Sequence, residues 1–128
     1  MVVVDRWSRR VFAIPCHATR TAQRGAELFY EEICLHACRG IPIWLQMDRD
    51  PRFTSAWFKE FFRLTGVHLH FTTGYKSQSN GLSEAANKQL SVLLRSGSAY
   101  QKDWWKRRKM AVMKLNSTKQ ERLGMSPI

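Results

Sequence analysis

The feature that most limits what this chain can fold into is an alternation. Short, β-rich apolar runs are separated by stretches whose apolar residues recur every three to four positions. Val2-Val3-Val4 and Val11 to Ile14 are strand candidates on either side of Trp7-Ser8-Arg9-Arg10, and they read as a hairpin ending at Pro15. Thr21 can cap a helix to about Arg39, with Ala22, Ala26, Phe29, Ile33 and Ala37 at helical steps and Gly40 suited to the position past its end. Pro42 stops that helix from resuming. Ile43 to Met47 is a short, mostly apolar strand, and Asp48-Arg49-Asp50-Pro51 is a polar turn after it. Thr54 or Ser55 then caps a helix with Phe58, Phe61, Phe62 and Thr65 on one face and Gly66 as its stop. Val67 to Phe71 alternates like a half-buried strand, and Thr73 to Gly81 is a polar loop. Asn80 can cap a helix from about Gly81 to Arg95, and a last amphipathic helix runs from Lys102 to Leu115. The order β-β-α-β-α-β-α-α predicts an α/β sandwich of helices on a mixed sheet.

Size and composition narrow the class further. A chain of 128 residues has the length of one domain and can bury about two-thirds of its unfolded surface without staples. With 44% hydrophobic residues it is not an intrinsically disordered segment. No apolar run is long enough to cross a bilayer, and Asp5 and Arg6 interrupt the start before any signal-peptide core. Cys16, Cys34 and Cys38 are an odd set without framework spacing, which fits a reducing compartment. The expectation is a soluble, intracellular domain with no membrane and no small-molecule substrate. Charge points to the partner. Lys and Arg total 21 against 10 acids, a net charge of +11, with a pI near 10.2. That balance suits a polyanion, and nucleic acid is favoured over a merely solvated basic surface.

Two acids stand out by position. Asp48 lies where a strand runs out, at the carboxyl edge where α/β folds place their sites. Glu84 lies in the first turn of the 81–95 helix, where backbone N–H dipoles favour a carboxylate. At 100° per residue, Leu82, Ala86, Leu90, Leu93 and Leu94 form the buried stripe of that helix. Glu84, Lys88, Ser91 and Arg95 fall on the opposite face. Three readings of that face stay open: a helix-end stabiliser, a Glu–Lys pair at i, i+4, or a metal ligand flanked by phosphate contacts. His68 and His70 share one side of a strand and read as partly covered sheet residues. Cys34, His36 and Cys38 read as buried or idle groups rather than zinc ligands. In the 102–115 helix, Trp105, Val112 and Leu115 can supply a buried stripe, with cations coating the outer face.

Specific words and their spacing carry a resemblance. Val2-Val3-Val4-Asp5-Arg6, Ala13-Ile14-Pro15-Cys16, Asp48-Arg49-Asp50-Pro51-Arg52-Phe53-Thr54-Ser55, Gln78-Ser79-Asn80-Gly81 and Glu84-Ala85-Ala86-Asn87-Lys88 occur in this order, with 35 residues between Asp48 and Glu84. Together they resemble the catalytic core of retroelement integrases, the gypsy-type LTR retrotransposons in particular. Gly124-Met125-Ser126-Pro127-Ile128 looks like the segment after that family's last core helix. The resemblance implies an RNase H-like fold and a three-carboxylate site holding Mg²⁺ or Mn²⁺, since hard cations prefer carboxylate oxygens. Two such ions activate the attacking oxygen and stabilise the leaving one at phosphorus. By the resemblance Asp48 is the second carboxylate and Glu84 the third, both catalytic and metal-binding, and Lys88 contacts element-end DNA. Lys76 keeps positive charge near the site, and Arg95 joins Lys88 among the DNA-binding residues.

The same resemblance implies departures. The family carries its first carboxylate on a central strand before the one reading VVVDR, and this chain starts within VVVDR, so residues 1–128 are expected to be a core incomplete at its N-terminus. Asp5 belongs to the next, antiparallel strand and is expected to be an end-of-strand hairpin acid, paired with Arg6 or Arg10. Lys76-Ser77-Gln78 stands where family members read His-Pro-Gln, and Ala85 where Arg is common. The implied function is an integrase-like, DNA-binding polynucleotidyl transferase core, inactive alone, with metal bound weakly or not at all. The alternative is a non-catalytic remnant or adopted module that binds nucleic acid or a partner. The implied partners are DNA and a second copy through the C-terminal helix, and the implied location is nuclear. The two strand edges left without a central neighbour are expected to associate, or to close by pairing Val2–Asp5 with Ile43–Met47.

Overall fold

The structure is a computed structural model that describes residues 1–72, 81–96, 104–121 and 124–128. In chain order the elements are β1 (Val2–Val4), β2 (Val11–Ala13), α1 (Ala22–Phe29) with a π-helical continuation over Tyr30–His36, and β3 (Trp44–Met47). Then come a short α2 (Pro51–Thr54), α3 (Ala56–Leu64), β4 (His68–Phe71), α4 (Gly81–Ser96) and α5 (Trp104–Ser117). This is the order read from the sequence, with the single turn of α2 added. The chain divides into two compact units: Met1–Pro15 with Gly81–Ile128, and Cys16–Asn80.

In the first unit, three valines pair antiparallel with β2, in register Val2↔Ala13, Val3↔Phe12 and Val4↔Val11. Asp5 shapes the turn between them. Its carboxylate accepts the Trp7 N–H at 2.9 Å and the Ser8 hydroxyl at 2.8 Å, and its carbonyl accepts the Arg9 N–H at 2.8 Å. Met1 pairs with Ile14, and Asp5 with Arg10, so by alternation Val11 is opposite Val4 without ladder bonds and turns its own N–H and C=O outward. Asn116 of α5 meets both. Its Oδ1 accepts the Val11 N–H at 2.8 Å and its Nδ2 donates to the Val11 carbonyl at 2.9 Å. Arg108 donates from Nε to the Ala13 carbonyl at 3.3 Å. Between hairpin and helices lie Val11, Ala86, Leu90, Ala111 and Leu115, with Leu93, Leu94 and Val112 partly covered against them. The α4 stripe is thus the one its periodicity predicts. Trp105 is a correction: it is 48% exposed, with the Lys106 ammonium 5.5 Å over its ring. It precedes Arg108, which already reaches the last residue of β2, so the hairpin offers it no cover.

In the second unit, Thr21 caps α1 by accepting the Arg24 N–H at 3.2 Å. The helical run ends at His36 rather than Arg39. Cys38, not Gly40, takes the first left-handed conformation after it (φ 49°), and that reversal stops the ladder. Ala26, Phe29, Ile33 and Cys34 are buried, as are Phe58 and Phe62 of α3. Phe62 packs edge-on against Phe29 with centroids 5.6 Å apart, and 4.7 Å from Phe58. Ser55 caps α3 by accepting the Phe58 N–H, while Thr54 turns its hydroxyl to the Pro51 carbonyl. Gly66, at φ 74°, ends that helix where a side chain would be strained. β3 and β4 run parallel with Trp44 opposite His68 and Met47 opposite Phe71. Leu45, Met47, Leu69 and Phe71 are half-buried on one face, and Trp44, Gln46, His68 and His70 are exposed on the other. The two histidines are therefore more open than the sequence suggests. Among the described residues the strands form two two-stranded sheets, β1 with β2 and β3 with β4. Each ladder joins strands of one unit.

Candidate nucleic-acid and metal site

Asp48 immediately follows β3, so the strand's end sets its position, and its side chain is exposed. One carboxylate oxygen accepts the Asp50 N–H at 3.2 Å. Asp50 is itself fixed. It caps α2 by accepting the Arg52 N–H at 2.9 Å, with Pro51 at the first helical position, where a missing N–H costs nothing. The Arg52 guanidinium donates from Nε to Asp50 at 2.8 Å, closes a second ion pair through Nη2, and donates from Nη1 to the Ala18 carbonyl at 3.1 Å. The Arg52 hydrogen bonds hold the Asp50 carboxyl down at about 2 and push the Arg52 guanidinium up in turn. Asp50 and Arg52 lie within the Asp48–Ser55 motif, but the motif alone assigns them no such task. An acid before Pro with Arg two residues later was the available signal.

Glu84 lies in the first turn of α4 and is exposed, as are Lys88, Ser91 and Arg95 on the same helix. Among the described residues no ion pair joins Glu84 to Lys88, so the intrahelical pair is not the use made of that face. Both cations point to solvent, as phosphate contacts require. Glu84, Lys88 and Arg95 belong to the first unit and Asp48 to the second. Lys76, Gln78 and the Asn80 cap lie outside the described residues, as do Lys102 and Asp103.

Asp5 organises the hairpin turn by accepting from Trp7 and Ser8. Cys34 is buried, and burial pushes its thiol up, while His36 and Cys38 are exposed. Among the described residues no three His, Cys, Asp or Glu side chains gather where they could hold a metal ion. Asp48 and Glu84 have the right donor chemistry for Mg²⁺, but the set of three that a two-ion centre needs is not assembled within those residues.

Comparison with known proteins adds sequence and fold. No family model matches the chain. It is similar to the transposon Tf2-3 polyprotein of Schizosaccharomyces pombe, with 30% identity over 104 residues, 81% of this chain. That match covers 8% of the polyprotein, so the chain spans less than a tenth of the length of these relatives. Among solved structures it is similar to the HTLV-2 integrase catalytic core domain in complex with magnesium, in a trimeric form. The TM-score is 0.77 at 22% identity, covering 98% of this chain and 79% of that one. The catalytic core domain of BIV integrase gives a TM-score of 0.76 at 23% identity, covering 98% of this chain and 80% of that one. Identities this low establish the fold, which is the RNase H-like arrangement of those cores.

Proposed function

We propose that residues 1–128 form an integrase-like, DNA-binding core domain of the polynucleotidyl transferase class, related to the retroelement integrase catalytic cores. The observation that carries this reading is the sequence shared with the Tf2 polyproteins in a chain of integrase-core fold. Asp48 and Glu84 are its catalytic carboxylates and the donors for Mg²⁺ or Mn²⁺, and Lys76, Lys88 and Arg95 are its DNA contacts. The metal, when bound, supplies charge neutralisation and an activated oxygen at phosphorus. The chain's own part is to end β3 at Asp48, to hold that turn through Asp50 and Arg52, and to present Glu84 beside two cations on α4. A second copy docks through α5, where Met110 and Met113 stand 76% and 65% exposed among cations.

Two assays test this. With +11 overall, binding of a labelled duplex weakens steeply as salt rises, and Lys88→Ala and Arg95→Ala each reduce the log–log salt slope by about 1. Salt-insensitive binding, or none at low salt, sinks the DNA-binding reading. Strand transfer with Mg²⁺ is expected to be undetectable for the 128-residue chain, because two carboxylates stand where the chemistry uses three. Activity abolished by both Asp48→Asn and Glu84→Gln would instead show a complete site, with Asp5 the first suspect for the third ligand. The alternative is a non-catalytic module that binds nucleic acid or a partner through the basic surface. Calorimetric titration with Mn²⁺ separates the two, since loss of binding in Asp48→Asn supports the integrase-like site and no binding at all supports the module.

A further inference from the structure

The outward face of the β3–β4 sheet is chemically unusual. A solvent-facing strand pair ordinarily carries short polar or charged groups, yet this one presents Trp44, Gln46, His68 and His70. Trp44 is 60% exposed, and Ile43 before it 70%. The indole is not a stray surface ring, because two imidazoles hold it. His68, its direct cross-strand partner, lies 4.7 Å away between ring centroids at 31°, and His70, on the diagonal, 4.5 Å away at 44°. A ring packed beside two imidazoles of one neighbouring strand has less rotamer freedom left to lose when a ligand arrives, which lowers the cost of binding. Much of Trp44 stays open to solvent beside the exposed His68 and His70.

We propose that Trp44, supported by His68 and His70, is a stacking platform for a base of single-stranded nucleic acid. Three observations favour that occupant over a protein face. A nucleobase is planar and matches the exposed indole, and its polar edges can meet imidazole nitrogens that an apolar partner would leave unsatisfied. The chain's charge of +11 draws in a polyanion from any direction. An unpaired strand is also the form of nucleic acid whose base faces are open, whereas a duplex hides them in its own stack. The platform shares no residue with Asp48 or with the Glu84–Lys88–Arg95 face, so it does not depend on the joining reading.

Fluorescence anisotropy of the full 128-residue chain with labelled dT15, and with a 15-base-pair duplex, tests it across a salt series. Trp44→Ala is expected to weaken dT15 binding roughly 5- to 150-fold, the range for losing one stacked base. Duplex affinity stays within about twofold and the salt slope is unchanged, since stacking releases no counterions. Trp44→Phe, which keeps a smaller ring, restores most of the loss, and His68→Ala with His70→Ala gives an intermediate effect. Matched thermal unfolding midpoints for the variants show that folding is not the cause. Unchanged dT15 affinity in Trp44→Ala overturns the proposal, as does an equal loss for dT15 and duplex. A wild-type dimer that Trp44→Ala converts to monomer, with dT15 binding intact, assigns the face to a second copy and overturns it too. If duplex binding is unaffected by Lys88→Ala while dT15 binding follows Trp44, the platform stands and only the placement of the duplex contacts changes.

Discussion

In the unit of Met1–Pro15 and Gly81–Ile128, small and aliphatic side chains fill the core, and α5 meets the hairpin through a buried amide. In the Cys16–Asn80 unit, phenylalanines do the filling and polar contacts move to the rim, at the Asp50–Arg52 clasp. The contrast follows from what each helix covers. α5 packs beside a strand edge whose N–H and C=O must be satisfied, so a residue with both donor and acceptor is required there. α1 packs on α3 instead, and helices that satisfy their own backbones can offer aromatic faces to each other. One unit therefore depends on hydrogen-bond matching, the other on packed volume.

The largest effect is expected where volume matters most. Phe62 is 2% exposed, and Phe62→Ala should cost roughly 3–5 kcal/mol in urea unfolding. Hydrogen exchange should place the loss in amides of the Cys16–Asn80 unit. A loss below about 1 kcal/mol would break the contrast. Next comes the matching test. Asn116 is 4% exposed, and Asn116→Ala leaves the Val11 N–H and carbonyl unpaired, at a cost on the order of 2–4 kcal/mol. Asn116→Leu restores volume without hydrogen bonds, so it should recover little. Full recovery by leucine would show that volume governs both units.

A smaller effect should appear with acid. The Asp50 carboxyl is held at about 2, below its ordinary value near 3.8, by Arg52. A carboxyl lowered in the folded state contributes stability that is fully present above the unfolded value and is lost as pH falls through the folded one. The midpoint of thermal unfolding, followed in chelator from pH 5 to pH 2, should therefore fall between about pH 4 and pH 2. Asp50→Asn should remove that part of the slope, and an unaltered slope would show that the clasp contributes nothing to stability. The smallest effect is a gain. Cys38 holds φ 49° with a side chain, and Cys38→Gly should stabilise by roughly 0.5–1 kcal/mol.

Legibility differed between elements for a physical reason. The hairpin, the α4 stripe and the Thr21 cap were readable because each depends on neighbours within a few residues. Asn116 was not, because a polar side chain in a helix reads as surface until a strand edge 105 residues away in sequence claims it. Trp105 misled in the opposite direction, since its apolar ring suited a stripe that the hairpin is too short to cover. The left turn at Cys38 gave no signal, because Gly40 two residues on is the residue that local propensity selects. At the candidate site, Asp48 and Glu84 were visible as acids at a strand end and a helix start. The Asp50–Arg52–Ala18 tie was hidden, because its last link spans 34 residues.

Sequence by itself determined the alternation of elements, the basic charge, the order of motifs and the two faces of α4, since all follow from side-chain period and ionisation. Only the tertiary structure decided which polar groups are buried, which strands pair, and that Trp44 packs beside two imidazoles on an exposed sheet face. Those outcomes depend on contacts between segments far apart in the chain, and neither period nor propensity encodes a distance between them.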